Sequence, residues 1–225
     1  KEELLSRIAG KQIVVGVVGL GYVGLPLAVE KAKAGFKTIG FDVQADKVKM
    51  VNEGHNYIGD VVDAELTQLV ADGMLSATTD FSFVKDVDFI AICVPTPLDA
   101  HQQPDISYVE SSAKAIAEHL SPNTMVVLES TTYPGTTEEL IRPLLEKGSG
   151  LTCGKDFYLG FSPERVDPGN LIYKTKNTPK VVGAIGEDAR EVIAAVYGAV
   201  LGDKVHTVSS PAVAEMTKIL ENTYR

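Results

Sequence analysis

Three glycines at G-x-G-x-x-G spacing, Gly19, Gly21 and Gly24, lie in the run VVGVVGLGYVG at residues 14–24. A continuous Ile/Val stretch precedes them and helical content follows. In that setting each glycine has a physical task. The first permits a tight turn out of a strand, the second lets the backbone approach a pyrophosphate, and the third lets the next helix pack closely on the strand. Tyr22 and Val23, between the second and third glycines, are expected beside the bound group. The first N–H groups and positive dipole end of the helix would face the anion. A second mark is an acidic residue closing the next strand about 20 residues on. Asp42 stands at that distance, in IGFDV. Its carboxylate can accept hydrogen bonds from both adenosine ribose hydroxyls. It would repel a 2′-phosphate, and no Arg follows it directly, so NAD is favoured over NADP. A flavin or nucleotide-sugar site on the same loop is the alternative.

In a sheet of this kind, ligands lie beyond the C-terminal strand ends, where the strand order reverses. Three segments qualify. Cys93-Val94-Pro95-Thr96-Pro97 is stiffened by proline, and Thr96 offers a hydroxyl; Pro and Thr are also ordinary turn residues. Glu129-Ser130-Thr131-Thr132-Tyr133-Pro134-Gly135 presents four hydroxyls in a row, which could hold water or a substrate oxygen, or cap a helix. Phe161-Ser162-Pro163-Glu164-Arg165-Val166-Asp167-Pro168-Gly169-Asn170 carries a dense acid–base cluster. Glu164, Arg165, Val166 and Asp167 are the best candidates for substrate contact, against a plain surface salt-bridge cluster. Near the end of the chain, Ser210-Pro211 has the form of an N-cap followed by Pro at the first helical position. Lys218 and Asn222, four apart, then share one helix face. Beside an NAD site they could anchor a substrate oxygen, although most helical lysines are simply solvated.

The elements that must position these groups follow from periodicity. Strands are expected at 13–18, 37–42, 87–94, 124–129, 157–161, 180–183 and 204–207. Helices are expected at 23–34, 45–53, 63–71, 106–119, 138–146 and 188–200. Alternating strands and helices, with near-continuous apolar strands, predict an α/β, Rossmann-type, doubly wound and mostly parallel sheet with helices on both faces. Residues 162–178 are polar, Pro/Gly-containing and without period, as functional loops are.

Composition narrows the partners. The chain has 225 residues, 30 acidic against 21 basic, and a formal net charge of −9, with no basic cluster for a nucleic-acid backbone. No apolar run approaches the ~18 residues of a membrane span, and KEELLSRIAG is too charged for a signal peptide. Neither nucleic acid nor membrane is an expected partner. Cys93 and Cys153 have no metal-type spacing, so no metal site is expected, and a reducing cytoplasm is the simplest compartment.

GLGYVGLPLA, VPTP, EST-T-x-P-G-T, SPERVDPGN and AEMTKILEN occur in that order between Lys11 and Arg225. Together they resemble the nucleotide-sugar 6-dehydrogenases, the UDP-glucose/UDP-N-acetylhexosamine family. SPERVDPGN is more similar to the UDP-N-acetylglucosamine branch than to the UDP-glucose branch, where S/N-P-E-F-L-x-E-G is usual. The resemblance implies oxidation of a sugar C6 alcohol through an aldehyde to a carboxylate with two NAD. The aldehyde is captured by a cysteine as a thiohemiacetal and oxidised to a thioester, which is hydrolysed. It implies that Thr131 positions a water, Glu164 is a general acid/base, Lys218 stabilises oxyanion charge with Asn222 as partner, and Asp42 and Lys47 contact the adenosine ribose. It also implies a UDP-N-acetylhexosamine substrate, polysaccharide biosynthesis and a full-length homo-oligomer.

Two departures are visible. The second glutamate of the UDP-glucose branch is replaced by Pro168, with Asp167 one residue earlier. The nucleophile's G-x-G-G-x-C segment is also missing: Cys93 reads as a buried small hydrophobe, and Cys153 has no evident low-pKa setting. The expected organisation is an NAD-binding domain at 1–209 and the start of a central helix at 210–225. The expected behaviour is NAD binding without a complete oxidation. A β-hydroxyacid or 6-phosphogluconate-type dehydrogenase, and a non-catalytic NAD module, are the alternatives.

Overall fold

The computed structural model of the chain describes residues 1–165, 175 and 177–224. Val166 and Asp167 lie outside them. One sheet holds the strands β1 (Val14–Val18), β2 (Lys37–Phe41), β3 (Leu75–Thr78), β4 (Phe89–Ile92), β5 (Met125–Leu128), β6 (Tyr158–Phe161), β7 (Lys180–Ala184) and β8 (Val205–Val208). Their order is β3-β2-β1-β4-β5-β6-β7-β8. The order reverses between β1 and β4, which are both parallel neighbours in register Val15↔Phe89 to Val18↔Ile92. The doubly wound, mostly parallel sheet is as expected; the β6–β7 pair alone is antiparallel.

Helices α1 (Glu2–Ala9), α2 (Gly24–Lys33), α3 (Ala45–Asn52), α4 (Asp63–Ala71), α5 (Ser107–Ala117), α6 (Arg142–Ser149), α7 (Glu187–Leu201) and α8 (Pro211–Tyr224) cover the sheet. The strands are apolar on both faces because both faces are covered. Phe89 and Ala91 enter a core with Leu25, Ala28 and Val29 of α2 and Val192 and Val196 of α7. Ile90 and Ile92, one position on, enter the opposite core with Val109 and Ile116 of α5, Leu145 of α6 and Ala214 of α8. The period of two along a strand thus sorts side chains between two cores.

Four elements differ from the sequence expectation. α1 and β3 were not anticipated. α1 has the apolar pair Leu4 and Ile8 one turn apart, both buried against α7. The helix expected at 138–146 starts two residues earlier as a π turn, Thr136–Ile141, and α6 ends at Gly150 in the left-handed region (φ 73°). The strand expected at 87–94 is trimmed to Phe89–Ile92, since Val87 and Cys93 to Pro95 run on as connecting segments.

Two features place the far end of the chain. Because β7 reverses, the loop that leaves β6 returns to the same sheet edge, setting Ser162–Arg165 beside Pro179-Lys180. The Ser162 hydroxyl donates to the Val181 carbonyl at 2.7 Å. A Cβ on Gly183 would stand 2.1 Å from the Ser210 carbonyl oxygen, so glycine is what lets the start of α8 lie against β7. The Ser210 hydroxyl accepts from the Val213 N–H at 3.3 Å, as its N-cap role predicts.

Candidate functional site

Gly19 turns out of β1 at φ +91°, and a Cβ there would meet the Cys93 carbonyl oxygen at 2.9 Å. A Cβ on Gly24 would stand 1.6 Å from the Gly19 carbonyl oxygen; the missing side chain is what lets α2 start against the loop. A Cβ on Gly21 would meet nothing within 4 Å. Packing of the chain therefore does not require glycine at 21, whereas a ligand drawn against the backbone would. α2 begins there with no side-chain cap and no acidic residue in its first turn. Its dipole end is left for an anion.

Asp42 closes β2 almost fully buried. One carboxylate oxygen accepts from the Leu20 N–H and the other from the Gln44 N–H, both at 2.9 Å. Each oxygen retains a lone pair, so the same carboxylate can brace the glycine loop and accept from ribose hydroxyls. Tyr57 completes the brace by donating to the Leu20 carbonyl at 2.6 Å. Burial first, and the Asp42 charge second, hold the Tyr57 phenol well above its ordinary pKa, so it remains a donor. Tyr22 is exposed at the rim, Val23 is half-buried as the residue preceding α2, and Lys47 is half-buried in α3 just beyond Asp42. These residues fit a dinucleotide. Loss of the Asp42 carboxylate, as in Asp42→Ala, is expected to weaken NADH binding by about 10- to 100-fold, the value of one or two charge-assisted hydrogen bonds. Fluorescence titration of NADH checks this; unchanged affinity would remove Asp42 from the site.

The strand ends lie side by side. The Ser130 hydroxyl donates to the Val94 carbonyl at 2.6 Å, tying the end of β5 to that of β4. Beyond β4, Pro95 is exposed and Thr96 half-buried; beyond β5, Thr131 is exposed. Thr132 Oγ1 is buried with no protein partner among the described residues. Lys218 of α8 donates to the Glu164 carbonyl oxygen, so α8 and the β6 loop meet. Arg165 donates to the Pro179 carbonyl at 3.1 Å and pairs with Glu221 of α8. Asn222 is exposed on the same helix, not drawn against the loop.

Beneath the Glu164 loop is a buried ionic group that sequence reasoning missed. Glu129, fully buried, accepts from Lys180 Nζ at 2.7 Å and from the Tyr197 hydroxyl. Burial would lower the Lys180 pKa, but the Glu129 and Glu164 charges outweigh it, and the ammonium is retained. Lys31 of α2 stacks 4.3 Å from the Tyr197 ring centroid and donates to the Val196 carbonyl at 3.2 Å. Glu164, Arg165, Lys180, Tyr197 and Lys31 share the wall of a cavity of about 30 Å³. Burial, reinforced by Glu129 and Glu164, drives the Cys93 thiol far above its usual range, and burial lifts Cys153 to about 11. Neither has the setting of a nucleophile. Among the described residues, no group of three His, Cys, Asp or Glu could hold a metal, and no helix is long and apolar enough to cross a membrane.

Residues 13–201 match the NAD binding domain of the UDP-glucose/GDP-mannose dehydrogenase family. The chain belongs to this family. It is 41% identical over 211 residues to protein CapL of Staphylococcus aureus, covering 94% of this chain and 49% of CapL. It is 36% identical to the UDP-N-acetyl-D-glucosamine 6-dehydrogenase of Pseudomonas aeruginosa, covering 96% of this chain and 50% of that protein. The solved UDP-D-ManNAc dehydrogenase of Pyrococcus horikoshii superposes with a TM-score of 0.89 at 34% identity, over 95% of this chain and 50% of that one. The chain spans about half the length of the curated relatives it matches. A 3-hydroxyisobutyrate dehydrogenase from Salmonella typhimurium, at 20% identity and a TM-score of 0.64, shares the fold alone. As the NAD-binding domain of this dehydrogenase family, the chain takes NAD as its cofactor, which the glycine loop and Asp42 accommodate.

Several residues of this dehydrogenase domain carry no signal in the linear pattern. Tyr57 is one of eight tyrosines and reaches the loop only through the fold. Glu129 and Lys180 are 51 residues apart. Glu215 does leave a trace: it stands three residues before Lys218, on the same side of one helix.

Proposed function

We propose that this chain is the NAD-binding part of a nucleotide-sugar 6-dehydrogenase that oxidises the C6 hydroxyl of a UDP-N-acetylhexosamine to the carboxylate with two NAD. The observation that supports the reading most directly is the seating of Lys218 on the Glu164 backbone at the open end of β6. A cation and a carboxylate-bearing loop thereby converge at the end of the sheet where the glycine loop also opens, with β4 and β5 between them in the order β1-β4-β5-β6. NAD supplies a hydride acceptor there. The overall change is balanced: R–CH₂OH, water and two NAD⁺ give R–COO⁻, two NADH and three protons.

In this reading the Lys218 ammonium opposes negative charge developing on the C6 oxygen, an effect worth a few kcal/mol when the cation is held in place. Asn222 assists from one turn further on. Thr131, exposed at the end of β5, orients a water, and Glu164 exchanges its proton. Thr96 and Pro95 shape the neighbouring strand end. Arg165 is anchored on Pro179 and Glu221, so it acts on the sugar C2 substituent by fixing where the loop leaves β6; Val166 and Asp167 are the further candidates for substrate contact.

The test is turnover by the complete protein of UDP-N-acetylglucosamine, UDP-N-acetylgalactosamine, UDP-N-acetylmannosamine and UDP-glucose. Two NADH per sugar and a uronic acid product are expected from an N-acetylated substrate. NADH binding without turnover of any UDP-sugar would overturn the reading and leave an NAD-binding module; turnover of a β-hydroxyacid instead would replace it. With Arg165→Phe, the preference in kcat/KM for the N-acetylated sugar over UDP-glucose is expected to fall by roughly tenfold or more, the scale of one lost pocket contact. An unchanged ratio would remove Arg165 from specificity.

A further inference from the structure

We infer that Glu215 is a positioning residue: its carboxylate locks α8 to the loop that follows β5 and so sets where Lys218 stands over the Glu164 loop. The inference rests on the role given to Lys218 above.

Glu215 is fully buried, yet every hydrogen bond recorded for its carboxylate leads away from its own helix. One oxygen accepts from the Gly135 N–H at 2.7 Å, and the other from the Thr137 N–H at 2.9 Å and the Thr137 hydroxyl at 2.7 Å. These donors open the π turn Thr136–Ile141, directly after the segment that holds Thr131. Gly135 adopts φ +96°, the left-handed conformation that turns its N–H into this cluster. The arrangement is a three-bond clamp between two parts of the chain about 80 residues apart. Three such bonds to one ion fix direction as well as distance.

The clamp is one of three links made by the same helix. Glu215 holds the β5 loop, Lys218 holds the Glu164 carbonyl, and Glu221 holds Arg165. A helix gripped at positions 215, 218 and 221 cannot slide along its axis without breaking all three. Glu215 is the most deeply buried of the three, and none of its hydrogen bonds above reaches the glycine loop or Asp42. Burial pushes its carboxyl upward in pKa, aided by the nearby Glu138, while the Thr137 and Gly135 bonds oppose this. Burying a carboxylate costs stability unless its bonds are all made, so the use of one here is consistent with a geometric role.

The experiment compares wild type, Glu215→Gln, Thr137→Val, Lys218→Ala and the double variant Glu215→Gln/Lys218→Ala in the complete enzyme. Glutamine must turn an NH₂ group toward donors and so breaks the clamp at nearly constant volume. Thr137→Val removes a single bond, and serves if Glu215→Gln does not fold. Misplacement by about 1 Å lowers rate by up to about 100-fold. The expected result is a kcat lowered about 10- to 100-fold in Glu215→Gln and about 3- to 10-fold in Thr137→Val, with KM and NADH affinity within about threefold of wild type. If Glu215 acts through Lys218, its substitution costs less than about twofold further in the Lys218→Ala background. A crystal structure of Glu215→Gln, or of Thr137→Val, is expected to show Lys218 withdrawn from the Glu164 carbonyl. An unchanged Lys218 position, or an additive loss in the double variant, would overturn the inference. A wild-type enzyme inert to every UDP-sugar would instead overturn the functional reading, and the position of Lys218 would still decide the clamp.

Discussion

Gly24→Ala and Gly21→Ala are expected to fail in opposite ways. The methyl group of Gly24→Ala would stand 1.6 Å from the Gly19 carbonyl oxygen, a backbone atom that no side-chain rotation can move aside. Helix α2 must back away from β1, disturbing Leu25 and Ala28 in the core. The cost exceeds the ~1–3 kcal/mol of ordinary overpacking, and in a domain of this size about 3 kcal/mol lowers Tm by roughly 6–12 °C. In Gly21→Ala the added methyl meets no protein atom within 4 Å. Its Tm without ligand should stay within about 2 °C of wild type, because surface changes of this kind cost at most about 0.5 kcal/mol. If the cofactor's pyrophosphate lies against this loop, the methyl meets it, and NADH affinity should fall by about tenfold or more, equivalent to about 1.4 kcal/mol. Thermal melts with and without NAD separate the two. Wild type gains stability with ligand by mass action, Gly21→Ala gains much less at the same NAD concentration, and Gly24→Ala starts lower in both. Wild-type NADH affinity in Gly21→Ala would mean that the pyrophosphate does not approach the chain at this loop.

The parts of this site that were legible beforehand are those whose chemistry is local. Gly19, Gly21 and Gly24 act through the backbone of one strand–turn–helix unit, and Asp42 offers its carboxylate at the end of the very next strand, so their spacing carries their expected roles. Ser210-Pro211 is likewise a local cap. β3 was hidden because LSAT offers too little apolar pattern, and its strand character comes from pairing with β2. α1 is two turns long and owes its stability to α7, not to its own propensity. The early π turn at Thr136 is bonded at its start to Glu215, nearly 80 residues away, a contact that local sequence does not report. Lys31 lies in EKAK, which reads as the solvated end of a helix. Its burial follows from the approach of α7, which periodicity within α2 cannot report.

Lys31→Met is expected to alter stability in a way that depends steeply on pH. Lys31 is fully buried, stacked on Tyr197 and Phe89, and among the described residues its hydrogen-bond acceptor is the Val196 carbonyl. Burial lowers its pKa from 10.5 to about 7, with Glu129 opposing and Lys180 and Lys11 adding to the fall. Between these values the unfolded chain holds the proton and the folded chain does not, so deprotonation favours the fold and stability from this residue rises with pH. That contribution is fully present above 10.5 and is lost as pH falls through 7. Each pH unit in the window is worth about 1.4 kcal/mol, so wild type should gain about 3 kcal/mol between pH 6 and pH 9 that the methionine variant does not. Methionine fills a similar volume and carries no charge to desolvate. Urea unfolding of both proteins at pH 6, 7.5 and 9 measures the difference, and processes common to both cancel. The variant's advantage over wild type should be greatest at pH 6 and shrink by about 3 kcal/mol at pH 9. A difference independent of pH would mean that Lys31 keeps its proton in the fold, with Glu129 neutralising both Lys31 and Lys180. In that case Glu129→Gln should be far more destabilising than the loss of one ion pair, since two buried ammonium groups would lose the one buried carboxylate they share.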